Sequence, residues 1–143
     1  MKNLQFDIPV PDDDQRERDE MIDIVETYWD ALERKIEWRD VKCHPDCQRI
    51  EFNVQCTNCK RDYHSLRTSF LNPLFTWDIR DRRYPVVDTK LGVVVAVVQF
   101  VQKLPDSSPG FVAVEAFKVI DGGFREIMVY LKPMCLDSGW RTA

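Results

Sequence analysis

Residues 92–102 read GVVVAVVQFVQ, and no other stretch of the chain limits its fold so strongly. Val93, Val95 and Val97 alternate with Val94, Ala96, Val98 and Phe100, so a strand here is apolar on both faces and both must be covered. A layer of helices covers one face. The other needs a second sheet or a second subunit, and Val112, Val114 and Ala116 in the next apolar run extend the same patch. The expectation is a homodimer through the outer face of the sheet.

The rest of the pattern places that strand among others. Four strands are expected over 76–87, 92–103, 110–120 and 124–132, joined by DTKLG, LPDSSPG and DGG, with Asp121-Gly122 a strong hairpin signal. Before them, Met21, Ile24, Val25, Tyr28, Trp29, Leu32 and Ile36 recur at helical steps. Pro11 and the carboxylates of Asp12, Asp13 and Asp14 would cap that helix, whose start is expected near residues 13–16. A short helical piece is expected over 38–42, and a strand in which Ile50, Phe52 and Val54 alternate with Glu51, Asn53 and Gln55. A third helix is expected over 60–71, ended by Asn72-Pro73. The order α-α-β-α-β-β-β-β gives an α+β domain over residues 15–143, with helices on one face of a curved, mostly antiparallel sheet and a flexible segment over 1–14.

Length and charge narrow the function. A chain of 143 residues is one domain in size, and a net charge of −4 without a run of Lys and Arg longer than two is no footprint for nucleic acid. No apolar stretch has the length of a signal peptide or a membrane span, so the expectation is a soluble cytoplasmic protein with no membrane partner. Five cysteines in such a chain are expected to be reduced thiols.

Four of those cysteines stand close together in CHPDCQRIEFNVQCTNC, residues 43–59, which raises the question of zinc. Two thiolates on one tetrahedral zinc, each ~2.3 Å from the metal, lie about 4 Å apart. If the chain from Cys47 to Cys56 is straight, its nine steps at ~3.3 Å hold those cysteines roughly 30 Å apart. The pairs then share a metal only if RIEFNV folds back, and no Gly or Pro stands there to help. No metal site is expected. Cysteine nucleophilic chemistry is also disfavoured, since only Cys43 has an adjacent histidine, His44, and neighbours in sequence point apart on a helix or strand.

IRDRRYPVVDTKLGVVVAVVQF, then VAVEAFKVIDGGFREI and KPMCLDSGW, resemble a mostly fungal group of proteins with a SnoaL-like cone fold. CQRIEFNVQCTNC is similar to the group's segment of Cys, a basic residue, Ile-Glu-Asn-Gly and a Thr-rich stretch, though Phe52-Asn53 stands where the group has Asn-Gly, and Cys56 and Cys59 where it has Thr and Asn. The wider superfamily includes nuclear transport factor 2, ketosteroid isomerases, scytalone dehydratase and polyketide cyclases. The resemblance implies a sheet wrapped around an apolar pocket closed by helices, with proton-transfer chemistry and no cofactor. Some members only bind, so fold alone does not assign a reaction.

Candidate residues follow from which faces they share. Glu115 lies mid-strand with Ala113, Phe117 and Val119, where an apolar surrounding raises a carboxyl pKa toward acid/base use; the alternative is a structural ion pair with an Arg. Glu51 and Asn53 share a face that is either pocket or solvent. In WDIRDRRYP, Trp77, Ile79, Asp81 and Arg83 form one face, expected inside, where Asp81 would work with Arg83 polarising a carbonyl; a cross-strand ion-pair ladder is the alternative. His64 reaches either the pocket mouth or the surface, and Trp38, Arg39 and Tyr63 are expected at the rim. Trp77, Gln99 and Phe117 complete the expected substrate contacts. The function expected is a cofactor-independent cyclase or isomerase acting on a hydrophobic oxygenated molecule, with a dimeric small-molecule-binding module and, behind it, a zinc domain as alternatives.

Overall fold

A computed structural model of the protein describes residues 5–57, 77–103 and 110–133. Helix α1 (Arg18–Leu32) lies against a six-stranded sheet built from β1 (Cys43–Glu51), β2 (Val54–Gln55), β3 (Trp77–Asp88), β4 (Val93–Gln102), β5 (Phe111–Ile120) and β6 (Gly123–Pro133). The strand order is β2-β1-β6-β5-β4-β3, antiparallel throughout except that β1 runs parallel to β6. This is an α+β architecture with a single long helix among the described residues. None of the described helices is long and apolar enough to cross a membrane. The helix expected over 60–71, and with it Tyr63 and His64, lies outside the described residues.

The apolar stripe of α1 does what its spacing requires. Met21, Ile24, Val25, Tyr28, Trp29 and Leu32 are buried, and Tyr28 and Trp29 meet Phe117 edge-on with ring centroids 5.6 and 5.5 Å apart. The helix begins later than its acidic approach suggests. Asp12–Asp14 form a short 3-10 turn, Glu17 stands at the helix cap without a side-chain bond, and the Asp14 carboxylate instead accepts from the Asp121 backbone N–H at 2.6 Å. The next helical piece is only a 3-10 turn, Trp38–Asp40.

Residues 5–14, which the sequence sets apart from the domain, touch it at several points. Val10 is buried and donates its N–H to the Lys90 carbonyl at 3.0 Å, and the nearly buried Lys118 donates to the carbonyls of Ile8 and Leu91. Gly92 sits beneath this strap at φ +64°, where a Cβ would come within 2.4 Å of the Val119 carbonyl oxygen and 2.6 Å of the Val10 side chain.

In β4, Val94, Ala96, Val98 and Phe100 are buried under α1, while Val93, Val95, Val97 and Gln99 are half-buried on the other face. Gln99 therefore stands on the outer face, opposite Val112 of β5, and not on the pocket side where it was expected.

Two local departures redirect side chains. The strand expected through Ile50, Phe52 and Val54 does not run straight. It folds back at Phe52-Asn53, both at positive φ (47° and 66°), as a two-residue turn that pairs Glu51 with Val54 and Ile50 with Gln55. Phe52 and Val54 are consequently exposed at the hairpin tip. In β3 the register shifts between Arg80 and Arg83, where Asp81 adopts φ +51°. Ile79 points into the core as expected, but beyond the bulge the phase reverses, and Arg82 and Tyr84 turn inward.

Candidate functional site

The inner face of the sheet and the end of α1 enclose a cavity of about 280 Å³. Leu32, Trp77, Phe100, Phe111 and Leu131 make its apolar walls. Phe100 and Phe111 stack at 4.6 Å between centroids, and Trp77 meets both edge-on at 5.5 and 5.1 Å. Tyr28, Arg49 and Glu51 supply the polar wall.

The period of β1 explains that wall, because Cys47, Arg49 and Glu51 share the inward face. The hairpin then locks it. The Arg49 N–H donates to Thr57 Oγ1 at 2.7 Å, Thr57 Oγ1 donates to the Cys47 carbonyl at 3.3 Å, and Cys56 N–H donates to the Arg49 carbonyl at 2.8 Å. From this backbone the guanidinium reaches three partners. Nε donates to Glu51 Oε1 at 2.8 Å, and Nη1 donates to Glu115 Oε2 at 3.1 Å and to the Tyr28 hydroxyl. Among the described residues, Nη2 and the second oxygen of Glu51, Oε2, have no hydrogen-bond partner.

Electrostatics divide the two carboxyl groups. Glu115 is wholly buried behind Arg49 and is no part of the cavity wall. Burial pushes its pKa up against the pull of the guanidinium, and its Oε1 is buried without a partner among the described residues. Burial opposes the charge on Arg49, but Glu115, Tyr28 and Glu51 outweigh it and hold the guanidinium charged; burial likewise keeps the Tyr28 phenol protonated. Glu51, by contrast, is about one-third exposed and reaches the cavity directly.

The residues expected at a site separate accordingly. Glu51, Glu115 and Trp77 come together around Arg49 and the cavity. Asp81 and Arg83, expected inside, pair with each other at 2.9 Å, with Arg83 half exposed; the Asp81 side chain is only 11% exposed, but neither residue lies on the cavity wall. Arg82 takes the inward place and binds Asp30 at 3.0 Å, Glu33 at 2.6 Å and Glu26, tying β3 to α1. Asn53 is exposed at the hairpin tip, its side-chain oxygen 3.5 Å from the Tyr130 hydroxyl, and Arg39 is exposed on its 3-10 turn. Trp38 packs on the core and Phe117 is fully buried within it, neither lining the cavity.

Sequence reading missed Arg49, although the alternation that aligns Asn53 with Glu51 also aligns Arg49 with it. Tyr28 was hidden in the apolar stripe of α1. The straight-strand argument against zinc fails because the hairpin folds back. Among the described residues, which exclude Cys59, no three His, Cys, Asp or Glu side chains group as a metal site. Burial raises the thiol pKa values of Cys43 and Cys47.

The family model described as a domain of unknown function, DUF8021, matches residues 14–131. The chain belongs to this family. No curated protein matches the DUF8021 chain in sequence. In structure it is similar to an NTF2-like protein of unknown function from Cytophaga hutchinsonii ATCC 33406, at 10% identity over 93% of this chain and 96% of that one, with a TM-score of 0.53. It is likewise similar to an NTF-2 like protein of unknown function from Burkholderia xenovorans LB400, at 9% identity over 86% and 91% of the two chains, with a TM-score of 0.54. A third similar chain, described as a SnoaL-like polyketide cyclase from Jannaschia sp. CCS1, shares 14% identity over 82% and 90%, with a TM-score of 0.54. At these identities the likeness is one of fold, and the DUF8021 chain has the NTF2-like α+β fold.

Proposed function

We propose that this protein is a cofactor-independent isomerase or cyclase that moves a proton on a hydrophobic, oxygenated small molecule of the polyketide, terpenoid or alkaloid kind. The observation that carries the reading is the Arg49–Glu51 pair set into an otherwise aromatic and aliphatic cavity. Glu51, the one carboxylate on the cavity wall among the described residues, acts as general base, and Arg49 stabilises the negative charge that develops on a substrate oxygen. Glu115 serves as a positioning residue, since it touches the guanidinium but not the cavity. The description of the Jannaschia neighbour as a SnoaL-like polyketide cyclase agrees with this chemistry.

The test is solvent-deuterium incorporation into a panel of hydrophobic ketones and enones, followed by mass spectrometry. The wild-type protein should exchange carbon-bound hydrogen next to the carbonyl above the buffer rate, and Glu51→Gln should lower that rate by about 100-fold or more. Equal exchange by the two proteins would refute the assignment. A second reading, a binding module without chemistry, is favoured by the 2.8 Å ion pair that already engages Glu51. A tightly held metabolite that co-purifies and stays unchanged on incubation would support it.

A further inference from the structure

The polar wall also defines what a ligand must offer. Arg49 retains one donor, Nη2, with no partner among the described residues, on a side chain only 13% exposed. Beside it, Glu51 Oε2 is an acceptor without a partner among the described residues. Neither atom is sealed from the cavity space, so a bound molecule that supplies an acceptor to Nη2 takes the place of water there. A group that presents an acceptor to Nη2 and an acidic hydrogen to Oε2 fits both.

Charge excludes one class that would otherwise suit an arginine. The guanidinium is already matched by Glu51 and Glu115, so a ligand carboxylate would meet the Glu51 oxygens at close range. Size and lining set the remainder. A cavity of about 280 Å³ is at the small end for ligand sites, and the Phe100–Phe111 stack with Trp77 presents flat apolar surface.

We infer that the site takes an uncharged, enolisable ketone on a single or two-ring flat skeleton, with its carbonyl oxygen on Arg49 Nη2 and an adjacent C–H facing Glu51 Oε2. The inference rests on the reading of Glu51 as base. In the step it implies, the α C–H bond breaks, its proton goes to Glu51, and the electron pair enters the carbonyl to give an enolate held by Arg49. A proton, exchanged with solvent while it sits on the partly exposed Glu51, then returns to this or a conjugated carbon, which leaves the carboxylate as it began.

Calorimetric titration of the full chain with three two-ring probes tests the ligand class: 2-tetralone, tetralin without a carbonyl, and 2-naphthoate with a negative charge. 2-Tetralone should bind about tenfold or more tighter than tetralin, with 2-naphthoate weaker than the ketone. In the paired variant Arg49→Met/Glu115→Gln, which leaves no buried charge behind, the preference for ketone over tetralin should vanish while tetralin still binds. Ketone binding no tighter than tetralin in the wild type, or naphthoate binding tightest, overturns the inference. Glu51→Gln separates the two claims. If it keeps the ketone preference but exchanges deuterium like the wild type, the base assignment fails and the ligand class stands.

Discussion

Among single residues, one guanidinium, that of Arg49, is shared by two carboxyl groups in unlike surroundings. Glu115 is 0% exposed with one oxygen bonded to Arg49, and its pKa is raised chiefly by burial. The folded state therefore holds the Glu115 proton more tightly than the unfolded chain does. That contribution to stability is fully present below the unfolded carboxyl pKa of about 4.3 and is lost as pH rises through the raised folded value. Glu115→Gln has no such proton to lose. The melting temperature of the variant should thus gain on that of the wild type as pH is raised from about 4 to about 8, and a constant difference across the range would contradict the burial argument. Arg49→Ala should cost about 3–5 kcal/mol in urea unfolding at neutral pH, because it strands Glu115 in the interior.

Among the elements, β3 and the β1–β2 hairpin show what periodicity reads and where it stops. The stripe of α1, the four long strands and the Asp121-Gly122 turn were legible, since each follows from a repeat of 3.6 or 2 or from turn chemistry. The bulge at Asp81 was not. It depends on a left-handed backbone conformation that Asp tolerates but does not announce, and one extra residue exchanges Asp81 and Arg83 for Arg82 and Tyr84. The hairpin failed for a related reason. Phe52-Asn53 lacks the Gly that signals a two-residue turn, so the alternating pattern looked continuous. Because Arg49 and Glu51 lie on the arm before that turn, a straightened strand also hid what they pair with.

Both elements carry predictions. Replacing Phe52-Asn53 by Asn-Gly suits the positive φ values at both positions and should raise stability by about 0.5–1 kcal/mol, measured by thermal unfolding. Arg82→Met breaks the ties to Glu26, Asp30 and the buried Glu33 and should cost about 2–4 kcal/mol. Asp81→Asn, at a pair whose arginine is half exposed, should cost less than about 1 kcal/mol in the same denaturant series.

Among the described residues, one long helix covers the inner face of the sheet, and the outer face is rich in valine. Val114 is 41% exposed there, with Val93, Val95, Val97 and Val112 half-buried around it. We propose that a second copy covers this face. Sedimentation at micromolar concentration should give a dimer, and Val114→Glu should shift it to monomer; a wild-type monomer would contradict the proposal. The cavity opens from the opposite side of the same sheet, so this variant leaves the cavity wall unaltered and separates assembly from chemistry.

We propose that proton transfer belongs to the Arg49–Glu51 wall of β1 and not to the Asp81–Arg83 pair of β3. Deuterium incorporation into one exchanging ketone, followed side by side in wild type, Glu51→Gln and Asp81→Asn, tests it most directly. Glu51→Gln should lose about 100-fold or more of the rate, and Asp81→Asn should exchange at the wild-type rate. Full exchange by Glu51→Gln together with a collapse in Asp81→Asn would contradict it.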